Sequence, residues 1–390
     1  MYKLRILHVI SSVNPQAGGP VAGLKQLFSE YRSMGIEAEV ACCDSPTAEW
    51  LNTEGQLVIH ALGPVNSNYS YTPKLIPWLK KNAPRFDAVI VDGIWQFHSL
   101  AVCIALSKAK VPYFVFTHGM LGPWFKHTYP LKHLKKWLYW PWADYWVLRK
   151  AKAVLFTCNE EKLLARQSFW LYNAEESVVG LGTSTPPDKS QESEHLFFEK
   201  FPELINKRII LFVGRLHPIK GCELLLESFA QVAKTNNQLH LLMVGPDHEN
   251  EMSILQDKAN SLGISLRITW TGMLDGDMKW AAFHASEVFC LPSHHENFGV
   301  VVAEAMACGK PVLISNKVNI WREIETDSAG FIADDTVEGT TLNLQRWLDL
   351  SPEAYAIMSS QATKSFTNRF HIKSSARKLI TTIQNKIKIT

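Results

Sequence analysis

Residues 288–316, VFCLPSHHENFGVVVAEAMACGKPVLISN, constrain the fold more than any other stretch of the chain. Residues 288–291 form a short apolar run bounded by proline, the pattern of a strand buried on both faces. Residues 292–297 are polar and read as a loop. From 300 to 308 the chain is apolar on every side except at Glu304, and Gly309 follows as a helix stop. Residues 311–315 make the next strand. A strand, loop, helix and parallel strand in so few residues admit an α/β sheet and little else.

Two features of this unit call for a ligand. The helix begins near Phe298 and Gly299, so its unpaired amides and positive dipole end face the loop, and Gly299 lets an anion come close. Glu304 is a carboxylate on an apolar helix, costly to bury unless something binds it. Its two acceptor oxygens suit the paired hydroxyls of a ribose. Glu296, in the loop, suits a second polyol in the same way. The competing reading pairs Glu304 with a core cation and makes Glu296 a helix cap.

The rest of the chain limits the alternatives. At 390 residues it should hold two domains of ordinary size. A net charge of +3 gives no basic field for nucleic acid. The 7 cysteines show neither a CxxC pair nor zinc spacing, which fits reduced thiols and a cytoplasmic protein. The first ten residues read as a strand and not as a signal peptide. No run of about 18 apolar residues is present, so no membrane span is expected.

In the first half, strands are predicted at 3–11, 38–43, 57–61, 88–92, 113–117 and 153–157. Helices at 21–34, 73–81, 99–108 and 159–169 alternate with them, as in a doubly wound parallel sheet. Such sheets bind ligands at the carboxyl ends of their strands. Asp92 and His118 both stand at such ends. The first strand runs into a loop with Gly18 and Gly19, but this is not the GxGxxG dinucleotide fingerprint. Residues 124–152 interleave Lys132, His133, Lys135 and Lys136 with Trp137, Tyr139, Trp140 and Trp142. That profile suits an anionic membrane surface, with the aromatics at headgroup level. It suits equally an aromatic helix pair packed on the sheet behind a solvated basic face. Residues 184–194 carry proline, serine and charge without apolar period and read as a linker.

The second half opens with a strand at 208–213, then Gly214-Arg-Leu-His-Pro-Ile-Lys-Gly221 and a helix at 222–235. Arg215 and Lys220 lie in that loop, able to converge on one anion. Strands follow at 239–244 and 268–271. Asp275 and Asp277 are read as a turn residue and a helix N-cap, not as metal ligands. A helix at 278–285, a strand at 329–333 and helices at 338–348, 353–366 and 372–389 complete the chain.

The spacing from Glu296 to Glu304, with Asn-Phe-Gly after the first glutamate, resembles the Glu-x7-Glu motif of the retaining glycosyltransferases of family GT4. The loop from Gly214 to Gly221 is similar to that family's diphosphate loop. The resemblance spans about 3–385 and is strongest over 208–316. It implies an α/β chain of the GT-B fold: two Rossmann-like doubly wound domains facing a cleft, with the C-terminal helix crossing back to the first. The expected domains are 1–184 plus 370–390, for the acceptor, and 185–369, for the nucleotide sugar, most simply a UDP-hexose.

Site roles carry over residue by residue. Glu304 would hold the ribose and Glu296 the donor sugar, with Asn297, Phe298, Gly299 and Val300 around the donor. Arg215 and Lys220 would hold the diphosphate. The main chain at Met273 and Leu274 would read the base. Gly18 and Gly19 would face the donor phosphates and the acceptor, and His118 the donor sugar or the acceptor; Asp92 is placed on the acceptor side by its strand-end position. The catalytic set is Glu296, His118, Arg215 and Lys220, with no metal and no cofactor. The basic aromatic segment suggests a glycan acceptor that is lipid-linked, in exopolysaccharide or envelope polysaccharide synthesis, and a peripheral site on the inner face of the cytoplasmic membrane. The rivals are an enzyme with a soluble acceptor, such as a disaccharide synthase, and a nucleotide-sugar-binding protein without turnover.

Overall fold

Every strand pairing in the computed structural model is parallel, and the strands form two separate sheets. The structure describes residues 3–387, apart from 16–18, 52–56, 66, 125 and 127–129. The chain divides into two units, Met1–Gly182 with Ile372–Thr390, and Thr183–His371.

The first unit holds β1 (Arg5–Ile10), α1 (Gly19–Ser33), β2 (Glu37–Cys42), β3 (Val58–Ala61), α2 (Leu75–Asn82), β4 (Ala88–Asp92) and α3 (Phe97–Leu106). It continues through β5 (Tyr113–Phe116), α4 (Pro130–Tyr139), α5 (Asp144–Lys150), β6 (Ala153–Phe156), α6 (Asn159–Ala165) and β7 (Glu176–Val178). The sheet order is β3-β2-β1-β4-β5-β6-β7. Two cores flank it, divided by the two-residue period of the strands. Leu7, Val9, Val89 and Val91 face one side, with α2 and α3. Ile6, Ile10 and Ile90 face the other, with Leu24 and Phe28 of α1 and with Leu379, Ile380 and Ile383 of the C-terminal helix. Burial on both faces explains why β1 and β4 are mostly apolar at successive positions, with His8 and Asp92 as buried exceptions.

The second unit holds α7 (Gln191–Lys200), β8 (Arg208–Val213), α8 (Cys222–Ala233), β9 (Leu239–Val244), α9 (Glu251–Ser261), β10 (Ile268–Gly272) and α10 (Gly276–Ala285). Then come β11 (Val288–Leu291), α11 (Val300–Ala307), β12 (Val312–Ser315), α12 (Trp321–Thr326), β13 (Gly330–Ala333), α13 (Val337–Leu348) and α14 (Pro352–Ser365). The last helix, α15 (Ile372–Ile387), belongs to the first unit. The order of the second sheet is β10-β9-β8-β11-β12-β13.

Each sheet therefore has one place where the winding reverses. It lies between β1 and β4 in the first unit and between β8 and β11 in the second. Loops leaving the carboxyl ends of strands diverge there and leave a crevice. Asp92 ends β4, the loop from Gly214 follows β8, and the loop with Glu296 follows β11.

Some elements differ from expectation. Residues 191–194, expected as linker, begin α7, because Ser190 caps that helix by accepting from the Ser193 amide at 3.4 Å. Helices α9 and α12 and strand β7 were not anticipated. Asp277 is not the cap of α10: Asp275 stands at that position, in extended backbone, and Asp277 lies in the first turn.

Candidate functional site

In the second unit, Gly214 donates its amide to Val244 at 2.9 Å and Leu216 donates to Pro246 at 3.0 Å. On the other side His294 donates its amide to Ile219 at 2.8 Å, so the loop after β8 is pinned to its neighbours after β9 and β11. Gly221 makes the close approach possible. Its φ is +69°, and a Cβ there would lie 2.1 Å from the Pro292 carbonyl oxygen. Arg215 is exposed, with no carboxylate in ion-pair range among the described residues. Lys220 pairs its ammonium with Glu296.

Glu296 is fixed by its backbone as well. Its amide donates to Lys317 and its carbonyl accepts from the Asn319 amide, each at 3.0 Å. Asn319 also donates its side-chain amide to Asn297 at 3.4 Å. The helix cap proposed as the competing role for Glu296 is filled by Gly299, whose φ is +74° and which makes no side-chain cap bond. A Cβ at Gly299 would meet Val302 at 3.0 Å and Glu296 at 3.3 Å. Phe298 is buried, its ring edge-on to Phe370 at 5.7 Å. Val300 starts α11, whose first amides have no intrahelical acceptor.

Glu304 is only 6% exposed. Lys279, on α10, donates to its Oε1 at 2.6 Å. Its Oε2 is buried and has no hydrogen-bond partner among the described residues. Burial raises this carboxyl above the usual range, and Lys279 offsets only part of the rise. The core cation of the competing reading therefore exists, but it satisfies one oxygen of two. Lys279 was missed in the sequence because nothing in a 25-residue separation marks the pair. Beside it, Gly272 turns with φ +66° and accepts from the Gly245 amide at 2.9 Å. Met273 is exposed and Leu274 is buried. Asp275 and Asp277 are both exposed, and no group of three His, Cys, Asp or Glu side chains among the described residues is arranged to hold a metal.

In the first unit Asp92 collects two imidazoles. His8 Nδ1 donates to Oδ2 at 2.7 Å, and His118 Nε2 lies 3.2 Å from Oδ1. Burial alone would raise the Asp92 carboxyl, but His8 and His118 outweigh it and hold it well below the usual range. His8 Nε2 reaches the Tyr31 hydroxyl at 3.3 Å. His118, at φ +47°, stacks flat on Phe116 with centroids 4.6 Å apart. Asp92 and His118 line a small cavity with Gly23, Leu27, Gly180 and Ser375. His8 was missed because it sits mid-strand and only the β1–β4 pairing brings it to Asp92. Gly19 is the first residue of α1, and Gly18 lies outside the described residues.

The segment 124–152 is partly core and partly surface. Trp140 is 1% exposed and stacks on Phe169 at 4.8 Å. Asp144 is fully buried and accepts from the Trp95 amide at 2.9 Å and from Ser99 at 3.1 Å. Burial pushes its carboxyl up to about 7. Those bonds hold Trp95 at φ +72°, a strained value for a bulky residue. Leu131, Leu134, Trp137, Leu138, Trp142 and Trp146 are exposed instead, as are Lys132 and Lys135. Trp137 stacks on Trp170 at 6.0 Å. No described helix is long and apolar enough to cross a membrane.

Residues 195–365 match the family model for glycosyl transferases group 1, and residues 18–182 match the glycosyl transferase 4-like domain. D-inositol 3-phosphate glycosyltransferase of Segniliparus rotundus is 28% identical over 159 residues, which are 40% of this chain and 34% of that protein. Its counterpart in Mycolicibacterium gilvum is 32% identical over 138 residues, 35% of this chain and 29% of that protein. The chain thus matches about a third of the length of these curated relatives. Among solved structures, sucrose-phosphate synthase of Thermosynechococcus elongatus superposes with a TM-score of 0.79 at 18% identity, covering 99% of this chain and all (100%) of that one. HepE of Anabaena, in complex with UDP and glucose, gives 0.76 at 19% identity over 98% of this chain and 100% of that one. These likenesses establish the fold as GT-B-like.

Proposed function

We propose that this chain, which belongs to the group 1 glycosyltransferases of family GT4, moves a hexose with retention from a UDP-sugar to a glycan acceptor. The observation that carries the reading is the pair of lysine–glutamate contacts: Lys220 with Glu296, in the loops after β8 and β11 where the second sheet reverses, and Lys279 with Glu304, on helices α10 and α11. Charge develops on the departing diphosphate as the glycosidic bond breaks. Arg215, Lys220 and the amides of Phe298 and Gly299 stabilise it, which is electrostatic catalysis aimed at the leaving group. Glu296 orients the donor sugar through its hydroxyls, and the main chain at Met273 and Leu274 meets the base. With two cations and a helix N-terminus on the diphosphate, the reaction requires no divalent ion. Asp92 and His118 serve the acceptor side. The solved HepE complexes with UDP and UDP-glucose support the choice of donor.

The acceptor is read as lipid-linked, with the enzyme peripheral on an anionic membrane. The exposed leucines and tryptophans beside Lys132 and Lys135 favour this over a soluble acceptor. The test is a panel of nucleotide sugars assayed for slow hydrolysis, with UDP titrated by calorimetry. A UDP-hexose should be hydrolysed and UDP should bind. If no nucleoside diphosphate binds, the reading fails.

A further inference from the structure

Glu304 is a buried carboxylate with one oxygen committed to Lys279 and one with no partner among the described residues. Among the described residues no protein donor reaches the second oxygen, and a buried acceptor without a donor costs free energy. Lys279 differs: its side chain is 26% exposed, and its ammonium lies 4.9 Å from the centre of the Trp280 ring, which steadies it. An ammonium has three protons, and the contact with Oε1 uses one. Side by side, the pair offers one acceptor without a protein donor and one charged donor.

We infer that the Lys279–Glu304 ion pair, and not Glu304 alone, reads the vicinal diol of the nucleotide ribose. This rests on the donor site proposed above. A vicinal diol presents two hydroxyls, each able to donate and to accept. One hydroxyl donates to Glu304 and its neighbour accepts from Lys279. The lysine also favours the ionised carboxylate, against the burial that opposes it. Recognition is then directional: each ribose hydroxyl answers to a different residue.

The test is calorimetric titration of UDP, 2′-deoxy-UDP and 3′-deoxy-UDP against the wild type, Lys279→Met, Lys279→Arg and Glu304→Gln, with thermal melting to confirm folding. The wild type should bind each deoxynucleotide roughly 10-fold or more weaker than UDP, the usual loss of one charged hydrogen bond. Lys279→Met should weaken UDP by about the same factor and lose discrimination against one deoxynucleotide while keeping it against the other. Glu304→Gln should show the opposite selectivity, and Lys279→Arg should restore part of the loss. If Lys279→Met still discriminates against both analogues while Glu304→Gln does not, Lys279 is structural and the inference is wrong. If a folded Glu304→Gln binds UDP as tightly as the wild type, the donor-site reading itself falls.

Discussion

Asp92 and Glu304 are both buried carboxylates, Asp92 at the end of β4 and Glu304 on α11, the helix that follows β11, yet their surroundings are opposite. Asp92 uses both oxygens, one on His8 and one on His118, and is held below the usual carboxylate range. Glu304 has one lysine and one oxygen without a partner, and burial raises it. A carboxylate whose bonds are complete before any ligand arrives is an organiser: it orients His118 and ties β4 to β1. A carboxylate left incomplete is poised to take a donor. The first contributes to the stability of its unit, whereas burial of the second subtracts from it.

The largest expected effect comes from breaking the organiser. Asp92→Ala leaves His8 without its acceptor in a buried strand, and removing one partner of a buried pair costs about 3–5 kcal/mol. Urea unfolding should show it. The pH dependence separates the two carboxylates further. The folded carboxyl of Asp92 lies below its unfolded value of about 3.9. Its contribution is therefore present above that pH and lost as pH falls through the folded value. Asp92→Asn should flatten the acid limb of the stability profile below about pH 4. Glu304 has the reverse sign. Its folded value is raised, so stability falls as pH climbs from its unfolded value, about 4.3, toward the folded one. Glu304→Gln should remove that decline.

Next in size are the cations of the loop after β8. Arg215→Ala and Lys220→Ala should each cost about 1.5–3 kcal/mol in turnover with UDP-sugar while sparing uridine binding. Equal losses for uridine and UDP would mean that neither residue holds the diphosphate. Turnover should also survive excess EDTA. A requirement restored by manganese would return Asp275 and Asp277 to consideration as ligands.

The smallest effects concern the membrane reading of α4. Lys132→Glu with Lys135→Glu should weaken binding to anionic vesicles by about 1 kcal/mol per residue and leave UDP binding intact. Trp137→Ser should weaken the salt-resistant part of that binding. Trp140, in the same segment as Trp137, is core, and replacing it should lower stability instead. Wild-type protein that ignores anionic vesicles at low salt would favour the soluble acceptor.

Much of the fold is legible in the sequence, for identifiable reasons. The strands at 208–213, 239–244 and 288–291 match β8, β9 and β11 end to end, because a strand buried on both faces is a nearly continuous apolar run, here interrupted only by Arg208 and His240. Helices α9 and α12 lack that signal, since much of α9 is polar and α12 spans six residues. Strand β7 is three residues at a sheet edge. In the site, Glu296 and Glu304 were legible as carboxylates in an apolar or glycine-rich setting. Their partner Lys279 was not, and neither were His8 and Asp144. Tertiary packing brings each of these to a residue far away in the chain: 25 positions for Lys279, 84 for His8 and 49 for Asp144.

The central claim is that Glu304 is kept incomplete for a nucleotide. The direct test is one titration of UDP into Glu304→Gln and Asp92→Asn, with thermal midpoints measured on the same samples. Glu304→Gln should lose at least about 10-fold in UDP affinity while its midpoint stays at or above wild type. Asp92→Asn should lose midpoint and keep UDP affinity. A Glu304→Gln protein that binds UDP normally but melts early would contradict the account and make Glu304 a structural ion pair like any other.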